Sequence, residues 1–261
     1  MADKELFDQY EHALRTIATL AHDKTGDLVS RIDYDVMTPE QCAAALLAEY
    51  PEIVRTYGIA AADIAREYYQ QERELAMLED EYGSYDALPA NPGAYEWAVE
   101  DVRKSAAAGV DMLPGEALRR IYQRADRTIA ENARRDPAHP MWAIIPHPGA
   151  CGWCLMVAAN GWSYSSQRAA NAQRHSNCRC SVAIDFNRDH PSLEGYDPDA
   201  YYDVYDQALQ ALGGDDGIFA QWDALSPDEQ AKYRRSGRGV YDVFKMKVVT
   251  AKMDEITGHT H

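Results

Sequence analysis

Positive charge is the scarcest property of this sequence. Across 261 residues, 26 lysines and arginines face 42 acids, for a formal net charge of -16 and a pI near 4.8. The shortage is local: residues 1–100 hold 7 bases and 21 acids, net -14, whereas the other 161 hold 19 and 21, net -2. That balance argues against general attraction of the N-terminal part to DNA or an anionic membrane. No run approaches the roughly 18 uninterrupted apolar residues of a membrane helix. Met1 to Tyr10 is acidic and lacks the basic and apolar segments of a signal peptide. A protein made and used in cytoplasm, or assembled there into something larger, is expected. Phenylalanine is rare at four, but 17 tyrosines and 5 tryptophans supply surface to bury, which argues against disorder. The length allows one sizeable core or two modest ones.

Three stretches follow. Residues 1–135 read as an acidic helical domain. From Leu6 to Leu20, apolar Leu6, Tyr10, Ala13, Leu14, Ile17 and Leu20 recur at helical spacing. Asp23 to Met37, with Gly26, reads as a connection. Thr38-Pro39-Glu40-Gln41 has the form of a capping box, opening a helix that turns Cys42, Ala45 and Leu46 toward a core. Ile59 to Tyr82 predicts another helix, with Ile64, Ala65, Tyr68, Leu75 and Leu78 as its stripe, ended by Gly83. After a proline-bearing loop at Tyr85 to Gly93, helices are expected at Ala94–Ala108 and Pro114–Arg134. The second of these turns Leu118, Ile121, Tyr122, Ala125 and Ile129 inward.

The character changes at Asp136. Residues 136–190 read as a small α+β module, with an entry strand at Met141 to Ile145 and an exit strand at Ser181 to Phe186. Trp153 and Trp162 are expected in its core. Residues 191–261 read as C-terminal helices, one from Asp199 to Leu212 and one opened by the capping box Ser226-Pro227-Asp228-Glu229. The segment Lys232 to Lys252 is basic, with seven bases against Asp242 alone. The fold class is therefore mainly α, with a compact knuckle-and-strand module between helical ends.

The five cysteines are unevenly placed. Cys42 stands alone, while Cys151-Gly-Trp-Cys154 is followed by His175-Ser-Asn-Cys178-Arg-Cys180. Two cysteines separated by two residues can curl so that both thiolates face one ion, and a later group closes a tetrahedron. The candidate metal ligands are Cys151, Cys154, His175, Cys178 and Cys180, of which zinc takes four. Thiolates favour zinc over magnesium or calcium. Disulfides and plain buried thiols are the alternatives that spacing leaves open. A cysteine-rich four-ligand shell leaves no position for water, so the expected zinc is structural.

Catalytic constellations are sparse. There is no Gly-x-Ser-x-Gly elbow, no His-Glu-x-x-His and no phosphate loop. The zinc deaminase pattern requires a glutamate where this chain has Asn177. Ser163, Ser165 and Ser166 lie near His147 and His175 in sequence, the one arrangement a serine nucleophile could use, although such serines usually mark a turn. His147 and His190 read as solvated or structural. Arg168, Arg174, Arg179 and Arg188 could meet nucleic acid, but read first as solvated arginines around a knuckle. No catalytic and no nucleic-acid-binding residue is assigned.

The run from Ile145 to Phe186 resembles the MuF-like head morphogenesis family of tailed bacteriophages, in the type found in actinobacterial phages. The resemblance rests on Pro148, Cys151-x-x-Cys154, Leu155-Met156, Asn160-Gly161-Trp162-Ser163-Tyr164, His175-x-x-Cys178-Arg179-Cys180 and Val182. It covers about 45 residues directly. It implies a structural minor capsid protein, not an enzyme, located in the virion near the portal after assembly in host cytoplasm. The implied partners are the portal protein, the major capsid protein or a scaffold, with no membrane and DNA contact only through the basic C-terminal segment. A capsid maturation protease and a nucleic-acid-binding zinc module are the competing functions.

Overall fold

The first helix, α1 (Lys4–Ser30), opens where the Asp3 carboxylate accepts the Leu6 N–H at 2.8 Å. A computed structural model describes residues 1–78, 80–86, 96–108, 112–162, 175–234 and 239–259. Phe7, Tyr10, Leu14, Ala18, Ala21, Thr25 and Leu28 of α1 form one buried stripe. The connection expected from Asp23 is therefore corrected. The helix continues through Gly26 because Thr25, Leu28 and Val29 extend the same stripe inward.

Helix α2 (Pro39–Leu75) begins at the expected capping box. The Gln41 N–H donates to the Thr38 hydroxyl at 3.3 Å and the Thr38 N–H donates to the Gln41 side chain at 2.9 Å. The separate helix expected from Ile59 is its second half. Pro51 forfeits one backbone bond, yet Tyr50, Pro51 and Val54 are all buried and packing carries the helix through. It ends at Leu75 rather than Gly83. Ala65 and Tyr68 are buried as expected, whereas Leu75 is 58% exposed.

Helices α3 (Glu96–Ala108) and α4 (Leu113–Arg135) match their expected spans closely, and Leu118, Ile121, Tyr122, Ala125 and Ile129 are all buried. Strands β1 (Met141–Ile145) and β2 (Ser181–Asp185) pair in a two-stranded sheet. All five residues of β2 are buried, so neither face of this strand is solvated. Between the strands lies α5 (Gly152–Ala158), and after them come α6 (Pro198–Ala211), α7 (Gly214–Asp223), α8 (Pro227–Ala231) and α9 (Val240–Thr257). The Ser226 capping box is present, but its helix lasts five residues. The protein is mainly helical with one small sheet among its described residues.

Residue contacts gather into two units that interleave along the chain. One comprises Met1–Ala143 and Trp162–Glu194, the other Ile144–Gly161 and Gly195–His261. In the first, α1, α2 and α4 pack on one another. Buried charge reinforces that core. Asp136, fully buried at the end of α4, accepts Arg73 Nε at 2.7 Å and the Tyr69 hydroxyl at 2.9 Å. Asp101, also fully buried, accepts the Tyr50 hydroxyl at 3.0 Å, Arg120 at 2.7 Å and Arg119 at 3.1 Å. Each pairing leaves no bare charge in a medium that would penalise one. In the second unit, α9 packs against α5, α6, α7 and α8. Its buried cluster is Ala208, Ile218, Phe244, Val249 and Met253.

Candidate metal centre

The first limb of the cysteine cluster is set by a tight turn. His147-Pro148-Gly149-Ala150 closes with Ala150 N–H to His147 C=O at 3.0 Å. Proline presets the second position, and glycine supplies the left-handed φ of 76° at the third. Cys151 follows as the residue that opens α5, and its thiol is not used to cap that helix. Cys154 lies in the first turn. Gly152 between them permits a close approach: a methyl group there would strike the Thr250 carbonyl oxygen and sit 2.7 Å from Met253 Cβ. Its N–H, one of the orphan donors at a helix start, donates to Asp254 at 2.6 Å.

The second limb is a hook tied to α4. Cys178 N–H donates to His175 C=O at 3.2 Å, and Asn177 takes a left-handed φ of 64°, which asparagine tolerates. The Asn177 N–H donates to the Gly115 carbonyl at 3.3 Å, and the Ser176 hydroxyl donates to the Glu116 carboxylate. Burial pushes the Glu116 carboxyl up, but the Ser176 hydroxyl and the Arg119 and Arg120 guanidiniums outweigh it and hold it below the usual range. His175 Nδ1 lies 2.7 Å from the Ser176 carbonyl oxygen. A carbonyl only accepts, so this bond requires the proton on Nδ1; in the neutral ring that tautomer would offer Nε2 to an ion. Cys180 then leads directly into β2.

The donors of Cys151, Cys154 and His175 lie within 4.8 Å of one another, and so do those of Cys154, Cys178 and Cys180. All four cysteines are buried, His175 is half-buried, and Cys154 belongs to both groups. A tetrahedron with zinc–sulfur bonds of about 2.3 Å has edges of about 3.8 Å, so each group supplies three donors at a spacing such an ion can bridge. Four sulfurs and an imidazole are a soft donor set, unsuited to magnesium or calcium. Five candidates exceed the four positions.

Other sequence candidates fall elsewhere. Cys42 is buried in α2 with its thiol 3.9 Å from the Met37 carbonyl, outside both groups. Ser163, Ser165, Ser166, Arg168 and Arg174 lie outside the described residues. His147 points its Nδ1 at the Pro148 carbonyl at 2.7 Å, while His190, Arg179 and Arg188 are exposed. Trp153 and Trp162, expected as core, are only half-buried. In the basic C-terminal segment, Lys245 pairs with Asp215 at 2.6 Å, Lys247 lies over the Tyr233 ring and Lys252 pairs with Glu255.

Sequence reasoning missed the buried charges of α2. Burial lifts the Glu72 carboxyl to about 7, despite the hydrogen bond it accepts from the Asp3 N–H; nearby Asp3 and Asp185 push it further in the same direction. A signal existed: Tyr69, Glu72 and Arg73 continue the helical spacing of Ala65 and Tyr68, which places two charges on the buried stripe.

No helix among the described residues is long and apolar enough to cross a membrane. No curated protein matches the chain, and no solved structure does. A family model described as VG15 protein matches residues 1–208, a span that contains both limbs of the cysteine cluster. Matching well over half of its length, the chain belongs to the VG15 protein family, a family of phage proteins.

Proposed function

We propose that the chain is a structural minor capsid protein of a tailed bacteriophage, acting in head morphogenesis beside the portal and the capsid interior. One observation supports this above others. The two limbs of the cysteine cluster, 20 residues apart in sequence, place their donors in two groups of three that share Cys154, each within 4.8 Å, in a chain of a phage family. On this reading, Cys151 and Cys154 and two of His175, Cys178 and Cys180 hold a structural zinc ion. When bound, the ion would fix the thiolates that hold it and so supply folding energy. This chain's own residues do the rest: Gly152 and Asp254 seat the knuckle, while Ser176 and Asn177 seat the hook on α4. The acidic region 1–135 is assigned to recognition of portal, shell or scaffold, and no reaction is required of the protein.

The test is location. Purified virions, opened and fractionated, should contain the chain in the head, and chemical cross-linking should join it to portal or major capsid protein. Its absence from heads, together with normal head yield after deletion of its gene, would contradict the proposal. Loss of capsid protein cleavage on replacing Ser163, Ser165 and Ser166 by alanine would favour a maturation protease instead.

A further inference from the structure

The second unit buries few of its aromatic rings completely. A ladder of rings runs from the buried Phe244 to Trp222 at 5.3 Å, to Tyr241 at 5.9 Å and to Phe219 at 5.7 Å, between ring centroids. Tyr233 joins it, 5.1 Å from Phe244 and 6.2 Å from Trp222. The ladder surfaces at Phe219, which is 52% exposed. Phe219 is therefore an exposed ring backed by a packed stack, not an isolated side chain.

Its surroundings define what would cover it. Asp215, Phe219 and Asp223 stand at positions i, i+4 and i+8 of α7, so they share one line along the helix, with Asp216 and Ala220 beside them. All five are exposed. From Pro198 to Asp223 the chain has six aspartates and no lysine, arginine or histidine. Among the described residues only Asp215 is neutralised, by Lys245. The same unit already shows how a cation meets such a surface, since Lys247 lies 5.5 Å over the Tyr233 ring and Lys245 reaches Asp215. Phosphates and anionic lipid would be repelled here, and a second copy would oppose aspartates to aspartates.

We propose that this ridge, Asp215–Phe219–Asp223 with Tyr241 beneath it, docks a cationic amphipathic segment of a partner protein. Apolar side chains of that segment cover Phe219, and its lysines or arginines pair with Asp216 and Asp223 and lie over the exposed ring. The partner is defined by its chemistry alone, so the inference stands whether or not the head morphogenesis proposal does.

The full-length chain is titrated against a fluorescently labelled, short leucine–lysine amphipathic helix at physiological salt. The same helix with glutamate for lysine serves as the charge control. Wild type should bind the lysine peptide and not the glutamate one. Phe219→Ala combined with Asp223→Asn should weaken binding about tenfold. Tyr202→Ala, at another exposed ring, and Asp23→Asn with Asp27→Asn on α1 should leave it unchanged. These residues are exposed, and far-UV circular dichroism confirms that each variant is folded. No binding by wild type, equal binding of both peptides, or equal weakening by the control variants would overturn the proposal. Concentration-dependent dimerisation abolished by Phe219→Ala would overturn it in favour of a second copy.

Discussion

The two units achieve order by different means. In the first, long helices bury continuous stripes, and two acids drawn inside, Asp136 and Asp101, are met by arginine and tyrosine at 2.7–3.1 Å. In the second, a cluster of five buried apolar residues is surrounded by half-covered ones such as Val204, Tyr205, Trp222, Leu225 and Tyr241, and ion pairs sit at the surface, as at Lys245–Asp215 and Lys252–Glu255. A core fixed by paired charges tolerates few alternatives, because removing one partner leaves the other bare. A core of half-covered rings leaves apolar surface for something else. The family match ends at residue 208, so α7, α8 and α9 lie beyond it.

That contrast can be broken at its strongest point first. Arg73→Met leaves Asp136 buried without its guanidinium. It should cost about 3–5 kcal/mol and lower Tm by roughly 10 °C in thermal melts. A loss under about 1 kcal/mol would show that the buried pair does not distinguish the first unit.

Gly152→Ala probes the second unit. The added methyl group meets backbone oxygen and Met253 Cβ, so a cost of about 1–3 kcal/mol is expected. Hydrogen exchange should accelerate in α9 more than in α1 or α4. Uniform acceleration across all helices would erase the distinction between the units.

The smallest effect concerns Glu72, whose carboxyl is raised from an ordinary 4.5 to about 7 by burial. A raised acid stabilises the fold fully at low pH, and that contribution is lost as pH rises from about 4.5 through about 7. Glu72→Gln keeps an acceptor for the Asp3 N–H and removes the ionisation. Tm at pH 8 should rise by about 2–4 °C, with little change at pH 5. An equal shift at both pH values would assign the effect to packing instead.

The local chemistry of this chain is legible in the order of its residues. The Thr38 and Ser226 capping boxes, the inward stripe of α4, both strands and the two cysteine limbs follow from residues near one another in sequence. Expectation and fold part where long-range packing overrides a local signal. Gly26 and Pro51 usually break helices, yet buried neighbours on both sides carry α1 and α2 through them. α7 escapes a sequence reading because Gly213, Gly214 and Gly217 suggest a turn; Gly213 does cap it in a left-handed conformation. The Arg73–Asp136 pair joins residues 63 apart, and a charge met in sequence looks like surface until its partner is known. In the cluster, spacing singles out five residues that the fold gathers into two groups of three, but it does not say which four would act.

On the proposed reading, the cysteine cluster is a structural metal centre. Cys154 belongs to both groups of donors, so Cys154→Ser is the substitution that harms either choice of ligands. Metal content and thermal melting of the wild-type and Cys154→Ser chains, purified without chelator, test the claim together. About one zinc ion per wild-type chain is expected, with loss of both metal and cooperative melting in the variant. A metal-free wild type that melts like the variant, or sulfurs found paired in disulfides, would contradict it.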